Sequence, residues 1–308
     1  MTKPKIGIAL GSGGARGWCH IGALRALAEE GIEPDIVAGC SMGALVGAAY
    51  IAGELDALEE WSYTVSWRKV AGFLDVNLAS GGLIEGKRIV AFLSALKGDA
   101  LIESFAKPFT AIASDLQTGR EIWLDKGSII DAVRASIAIP GIISPMKLNG
   151  KWLLDGGMTN PVPVSACRAM GADIIIAINP NAHNLGPHAR PAIAKPADSP
   201  AVSRDFLDKM LDSVPEGIKQ SLKTITPNFF GSRAGVPGYF DVLSTSIDIM
   251  TSQILRSRLA GEPPHVIISP HLSHMSVLEF NRAKEAIEEG RQSAQRAMPV
   301  LREYLGGC

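Results

Sequence analysis

Along the chain, nearly continuous apolar stretches alternate with stretches in which apolar residues recur every three or four positions. The first kind is the pattern of strands buried on both faces; the second is the pattern of helices with one face in a core. Residues 5–10 (KIGIAL), 35–38, 109–113, 121–124, 173–178 (DIIIAI) and 266–269 are predicted strands. Predicted helices cover residues 20–30, ending at Gly31, then 42–52, then 128–136, stopped by Ile139-Pro140, then 241–259 and 277–296. Residues 55–96 carry helical patterns broken at Gly72 and Gly81-Gly82, and residues 204–224 suit one or two amphipathic helices. Asn149-Gly150, between residues 146–148 and 151–154, is the strongest short hairpin signal in the chain. Alternation of this kind predicts an α/β fold.

One stretch departs from the pattern. Residues 181–203 hold Pro187, Pro191, Pro196 and Pro200 among Ala, Asn and His, which predicts a mobile loop or linker. No internal repeat appears. The economical expectation is a single domain over residues 1–308, with a loop-like or lid-like excursion at about 181–240 and C-terminal helices and a last strand over 241–308.

Composition changes this picture mainly by exclusion. With 308 residues, 46% apolar and 20% charged, the chain is ordinary globular material. Its net charge of −1 provides no basic field, so no nucleic-acid partner is expected. Cys19, Cys40, Cys167 and Cys308 show no paired spacing, which suits a reduced compartment rather than a disulfide framework or zinc ribbon. The N-terminus meets glycines before a signal-peptide core can build up, and no run approaches the ~18 apolar residues of a membrane span. The expected location is cytoplasmic, with peripheral contact at an inner membrane left open.

Candidate chemistry then enters through three short stretches. Residues 11–17 (GSGGARG) follow the first strand and open a helix. Successive N–H groups at a helix N-terminus suit a phosphate or a developing oxyanion, and a plain glycine turn explains the same residues. A dinucleotide fingerprint needs glycine where Arg16 stands and an acid at the end of the second strand, whereas Asp35 stands at its start. A nucleotide-dependent oxidoreductase is therefore disfavoured.

Residues 39–43 (GCSMG) place one serine between two glycines where strand turns into helix. Gly39 and Gly43 remove side chains that would collide at a sharp corner, and the corner exposes the Ser41 hydroxyl near a helix N-terminus. A tight structural turn is the competing explanation. Such a serine needs a base, and the six histidines offer none in place. His183 and His188 lie in the Pro-rich excursion, and His265 begins a strand. His271 and His274 have no local signature, and His20 reads as a packed or capping residue. The third stretch, Asp155-Gly156-Gly157, ends the hairpin and presents a carboxylate that could take a serine proton directly, or simply cap a turn. His271 and His274 lack a third ligand nearby, so no metal is expected.

Together these residues resemble the patatin-like phospholipases, and among them the small bacterial branch related to neuropathy target esterase. The matching motifs are residues 11–17, residues 39–43, Arg134-Ala135-Ser136-Ile137-Ala138-Ile139-Pro140-Gly141 with Pro145, and Asp155-Gly156-Gly157 running into Asn160-Pro161-Val162-Pro163. They lie within residues 5–180; the C-terminal third has fewer diagnostic residues. The resemblance implies a three-layer α/β/α fold with a mainly parallel central sheet. It implies a serine esterase or lipid acyl hydrolase that forms an acyl-serine on a Ser–Asp dyad, with no metal and no cofactor.

Carried over by motif, Ser41 is the nucleophile and Asp155 the base, and the Gly13 and Gly14 amides with Arg16 form the oxyanion hole. Gly11, Gly39, Gly43, Gly156 and Gly157 support the motifs, and residues 136–140 support the site wall. Ser12 departs from the run of three glycines that many relatives carry. The implied substrate is an acyl ester, whether lysophospholipid, phospholipid or other. An acyltransferase, or a weakly active regulatory or binding protein, is the alternative, and oligomerisation is left open. Trp61, Trp67, Phe73, Leu74 and Leu78 suit either an acyl groove or plain core. A carboxylate of ordinary pKa near 4 is a weak base at neutral pH, so modest turnover is expected unless burial raises that value.

Overall fold

The structure, a computed structural model, describes residues 3–65, 94, 100–183 and 239–306. Strands β1 (Ile6–Leu10), β2 (Ile36–Cys40), β3 (Phe109–Asp115), β4 (Glu121–Leu124), β5 (Met146–Leu148), β6 (Lys151–Asp155), β7 (Ile174–Ile178) and β8 (Val266–Ile268) join in one sheet. The helices are α1 (Cys19–Glu29), α2 (Met42–Ala52), α3 (Leu55–Thr64), α4 (Ile129–Ser136), α5 (Val164–Ala169), α6 (Tyr239–Gly261) and α7 (Ala283–Gly306). Strands β3-β2-β1-β7-β8 run parallel, while β4 and β6 are antiparallel to β3 and β5 is antiparallel to β6.

Parallel strands require crossovers, and crossover helices cover both faces of the sheet. Ile6, Ile8 and Leu10, with Val37, Ile176 and Ile178, share one core with α1, α2, α4 and α7. Ala9, Ala38, Ile112, Ile175 and Ala177 face the other way, into a smaller core with α5 and Leu255 of α6. One core on each face of a mostly parallel sheet is the three-layer α/β/α arrangement.

Most element boundaries fall within two residues of the pattern. The longer β2 has a cause: Gly39 and Cys40 pair with Ala111 and Ile112, so the ladder holds residues of weak strand propensity. α5 has no counterpart among the predicted elements. α7 starts at Ala283 rather than 277, after a turn in which Glu279 Oε2 accepts the Ser276 N–H at 2.6 Å. The helical patterns over residues 66–93 and 204–224, and most of the Pro-rich stretch, lie outside the described residues. Asp35 accepts the Ile6 N–H at 2.8 Å, a structural bond at the foot of the sheet.

The sheet has one junction that matters for the site. Ala111 and Ile112 pair with both β2 and β4, and Ala113 and Ser114 pair with both β4 and β6. A strand has two edges, so β2 and β6 must share the edge opposite β4, end to end. Cys40 stands opposite Ile112 and Asp155 opposite the next residue, Ala113. The C-terminal ends of β2 and β6 therefore converge.

Candidate active site

Ser41 follows β2 and caps α2 with φ 55° and ψ −123°. A side chain rarely adopts positive φ, so the corner is strained and is held by its surroundings. Those surroundings are specific. The Ser41 N–H donates to Ser136 Oγ at 2.9 Å, and Ser136 Oγ–H donates to the Ile112 carbonyl at 2.5 Å. A Cβ at Gly43 would stand 2.1 Å from the Leu10 carbonyl, and one at Gly39 would stand 2.5 Å from the Gly43 carbonyl. Neither glycine could carry a side chain without moving the corner.

Asp155, at the end of β6, is 4% exposed. Its N–H donates to the Ala138 carbonyl at 2.9 Å, its carbonyl accepts Ser114 Oγ–H at 2.9 Å, and its Oδ1 accepts the Gly157 N–H at 2.7 Å. Gly156 permits the approach to the sheet, since a Cβ there would stand 2.2 Å from the Ile112 carbonyl. Burial raises the Asp155 pKa to about 6, against opposing pulls from the Ser41 hydroxyl and the Gly157 amide. Oδ2 has no well-formed hydrogen bond to a described residue. The Ser41 hydroxyl is near enough to the carboxylate to lower its pKa.

The glycine loop lies across the same opening. Gly11 N–H donates to the Ile178 carbonyl at 3.0 Å, Ser12 N–H to Pro161 at 2.8 Å and Ala15 N–H to Val277 at 2.8 Å. The N–H groups of Gly13 and Gly14 donate to nothing among the described residues, and both glycines line the cleft. Gly14 has φ +52°, and a Cβ there would stand 2.4 Å from the Val277 carbonyl. The Arg16 guanidinium is fully engaged elsewhere. It makes a two-pronged pair with Asp248 of α6 at 3.1 Å, and it donates to the Met275 carbonyl at 2.7 Å and Asn181 Oδ1 at 3.0 Å. Its side chain ties the loop to two residues of the cleft lining, Asn181 and Asp248, and is not itself part of that lining.

Ser41, Asp155, Ser12, Gly13 and Gly14 line one cleft of about 490 Å³, open mouth included. Ile139, Pro140, Ile142, Met158, Ile247 and Val277 supply apolar wall, which places residues 139–140 of the predicted support segment at the surface of the site. Trp61 packs edge-on against buried Trp18, with ring centroids 6.0 Å apart, and is not part of this wall. Trp67, Phe73, Leu74 and Leu78 lie outside the described residues.

No described histidine lines the cleft. His20 is buried, its Nε2 bonded to the Gly11 carbonyl at 2.8 Å, and burial lowers its pKa to about 4. His265 Nδ1 accepts the Ile175 N–H at 2.9 Å, and His274 pairs with Glu285. Among the described residues no group of three His, Cys, Asp or Glu side chains could hold a metal ion. The sequence pattern did not single out Asp248 or Asn181. Both lie far along the chain from Arg16, and no local motif marks them.

Chemically, the cleft offers a hydroxyl on a strained corner, a carboxylate of raised pKa, two free amide donors and an apolar wall. The chain is similar to known proteins. The family model described as Patatin-like phospholipase matches residues 8–168. An uncharacterized NTE family protein of Mycobacterium tuberculosis is 32% identical over 97% of this chain and 93% of its own length. The "Lysophospholipase nte1" of Emericella nidulans is 33% identical over 56% of this chain and 12% of its own length. Among solved structures, VipD from Legionella pneumophila aligns over 97% of this chain and 67% of that one, at 13% identity and a TM-score of 0.46.

Proposed function

The chain belongs to the patatin-like phospholipase family, and from that premise we propose that it is a lipid acyl hydrolase that cleaves carboxylic esters of lipids through Ser41 and Asp155. The observation that carries this is the junction of β2 and β6. It brings a strained serine and a buried carboxylate into one cleft; no described histidine lines that cleft, and its other carboxylate, Asp248, is paired with Arg16.

In the proposed reaction, Ser41 Oγ attacks the ester carbonyl as its proton passes to Asp155 Oδ2. The Gly13 and Gly14 N–H groups meet the oxyanion; loss of one such donor in comparable sites costs about 3–4 kcal/mol. The C–O bond to the alcohol breaks, Asp155 returns the proton to the leaving oxygen, and an acyl-serine remains. Water then enters with Asp155 again as base. Arg16, held by Asp248, supports this through the loop rather than by touching the oxyanion.

The apolar wall of Ile139, Pro140, Ile142, Ile247 and Val277 suits an acyl chain, so the proposed substrates are lysophospholipid or phospholipid esters. No described helix is long and apolar enough to cross a membrane.

The test is labelling by a fluorophosphonate together with hydrolysis of a p-nitrophenyl ester and of lysophospholipid. Wild type is expected to label and to turn over. Ser41→Ala is expected to lose labelling and at least about 10³-fold in kcat/KM. Full activity in Ser41→Ala overturns the proposal, and an unlabelled wild type favours a binding or regulatory protein.

A further inference from the structure

Building on the Ser41–Asp155 reading above, we infer that Ser12 positions the water that releases the acyl group, and so biases the site toward hydrolysis over transfer to an alcohol. Two buried oxygens in the cleft lack a well-formed partner among the described residues: Ser12 Oγ and Asp155 Oδ2. Ser12 is 6% exposed and Asp155 4%. Buried polar atoms left unpaired are costly and uncommon, so a pair of them facing one cleft marks the place of a small polar molecule.

The rest of Ser12 is already committed. Its N–H donates to the Pro161 carbonyl at 2.8 Å, and its own carbonyl accepts from Asn181 Nδ2 at 3.0 Å. The hydroxyl is its one uncommitted group. Its place relative to Asp155 follows from Gly157. A Cβ on Gly157 would stand 3.4 Å from Ser12 Oγ and 3.0 Å from Asp155 Oδ1, so the hydroxyl and the carboxylate flank one point. Glycine at 157 keeps that point clear of a side chain.

Once Ser41 is acylated it has no proton to offer, and the Asp155 carboxylate keeps only the Gly157 N–H, on Oδ1. A water in the cleft over the bare face of Gly157, between these two groups, donates one hydrogen to Asp155 Oδ2 and the other to Ser12 Oγ, which leaves a lone pair for the acyl carbonyl carbon. As the new C–O bond forms, the first proton passes to Asp155. The tetrahedral intermediate then breaks its bond to Ser41 Oγ, which recovers that proton, and the carboxylic acid departs. An alcohol has a single hydroxyl hydrogen. It can engage Asp155 in the same way but cannot also donate to Ser12.

The test compares wild type, Ser12→Ala and Ser12→Gly on a p-nitrophenyl ester, with and without methanol, following the burst of p-nitrophenol, the steady state, and acyl-Ser41 by intact-protein mass. The burst rate is expected to stay within about twofold of wild type, while deacylation slows about threefold to tenfold, the value of one hydrogen bond. Acyl-Ser41 is expected to accumulate, and the ratio of methyl ester to free acid to rise by a similar factor. The melting temperature should hold or rise, because an unpaired buried hydroxyl has been removed. Deacylation and product ratio equal to wild type overturn the inference, as does a burst slowed as much as deacylation. A wild type that forms no acyl-Ser41 overturns the function proposed above, and this inference with it.

Discussion

At the end of β2 the backbone carries the strain, whereas at the end of β6 the strain is electrostatic. Ser41 holds φ 55°, a conformation that costs a non-glycine residue about 1–3 kcal/mol. Asp155 is comfortable in its backbone but buried, with a pKa raised to about 6 from an ordinary 3.8. At neutral pH that gap corresponds to about 3 kcal/mol of lost stability. Two costs of similar size thus meet on one edge of β3, and the difference in kind follows the proposed roles. A nucleophile needs its oxygen aimed, and geometry does that. A base needs a proton affinity near the working pH, and desolvation does that.

The sharpest way to separate the two is Asp155→Asn. It keeps the shape and the Gly157 contact while removing the buried charge, so activity should fall by about 10⁴-fold and the melting temperature at pH 7 should rise by a few degrees. A fall in melting temperature would break the electrostatic half of the comparison. The same carboxylate sets the pH response of wild type. Acylation needs Asp155 ionised, so the rate should drop as pH falls through about 6. The stability contribution runs the other way: the folded state holds the proton more tightly, so stability is lost as pH rises from about 4 to about 6. Stopped-flow bursts and thermal melts across pH 4–8 would show the two opposite slopes.

Gly156→Ala tests the junction itself. Its Cβ would stand 2.2 Å from the Ile112 carbonyl and 3.0 Å from Cys40 Sγ, so the end of β6 must lift away from β3. An expected loss of about 10²-fold in kcat, with a lower melting temperature, reflects misplacement by about 1 Å. Activity close to wild type would show that the two strand ends need not meet so tightly. The smallest effect is expected at Asp248→Asn, which leaves the Arg16 guanidinium buried without its charge partner. The glycine loop should loosen, with about tenfold lower activity and a measurable loss of stability, read by fluorophosphonate labelling rate and thermal melt.

Much of this site was legible in local patterns. The Asn149-Gly150 hairpin follows from two turn residues that tolerate positive φ, 49° and 80°, and the Ser41 corner is marked by its flanking glycines, although the backbone that crowds Gly43 is that of Leu10. The α/β class followed from periodicity, and α2 and β4 were predicted to the residue. Ser136 was visible as part of a motif, but its task was not: the hydrogen bond that holds the Ser41 N–H spans 95 positions. Likewise Arg16 stood out as a charge beside glycines. Only its partner Asp248, 232 positions away, shows that the charge is spent on bracing the loop.

By itself the sequence determined the elements and the Asn149-Gly150 turn, and it marked the glycines of the Ser41 corner and the loop, because element type and turn geometry rest on backbone preferences and local sterics. The tertiary structure decided that β2 and β6 share one edge of β3, that Asp155 is buried deeply enough for a pKa of about 6, and that Ser12 and Asp155 flank one point. Those outcomes depend on which distant surfaces exclude water from one another, and burial of that kind is a property of the assembled layers rather than of any short stretch of chain.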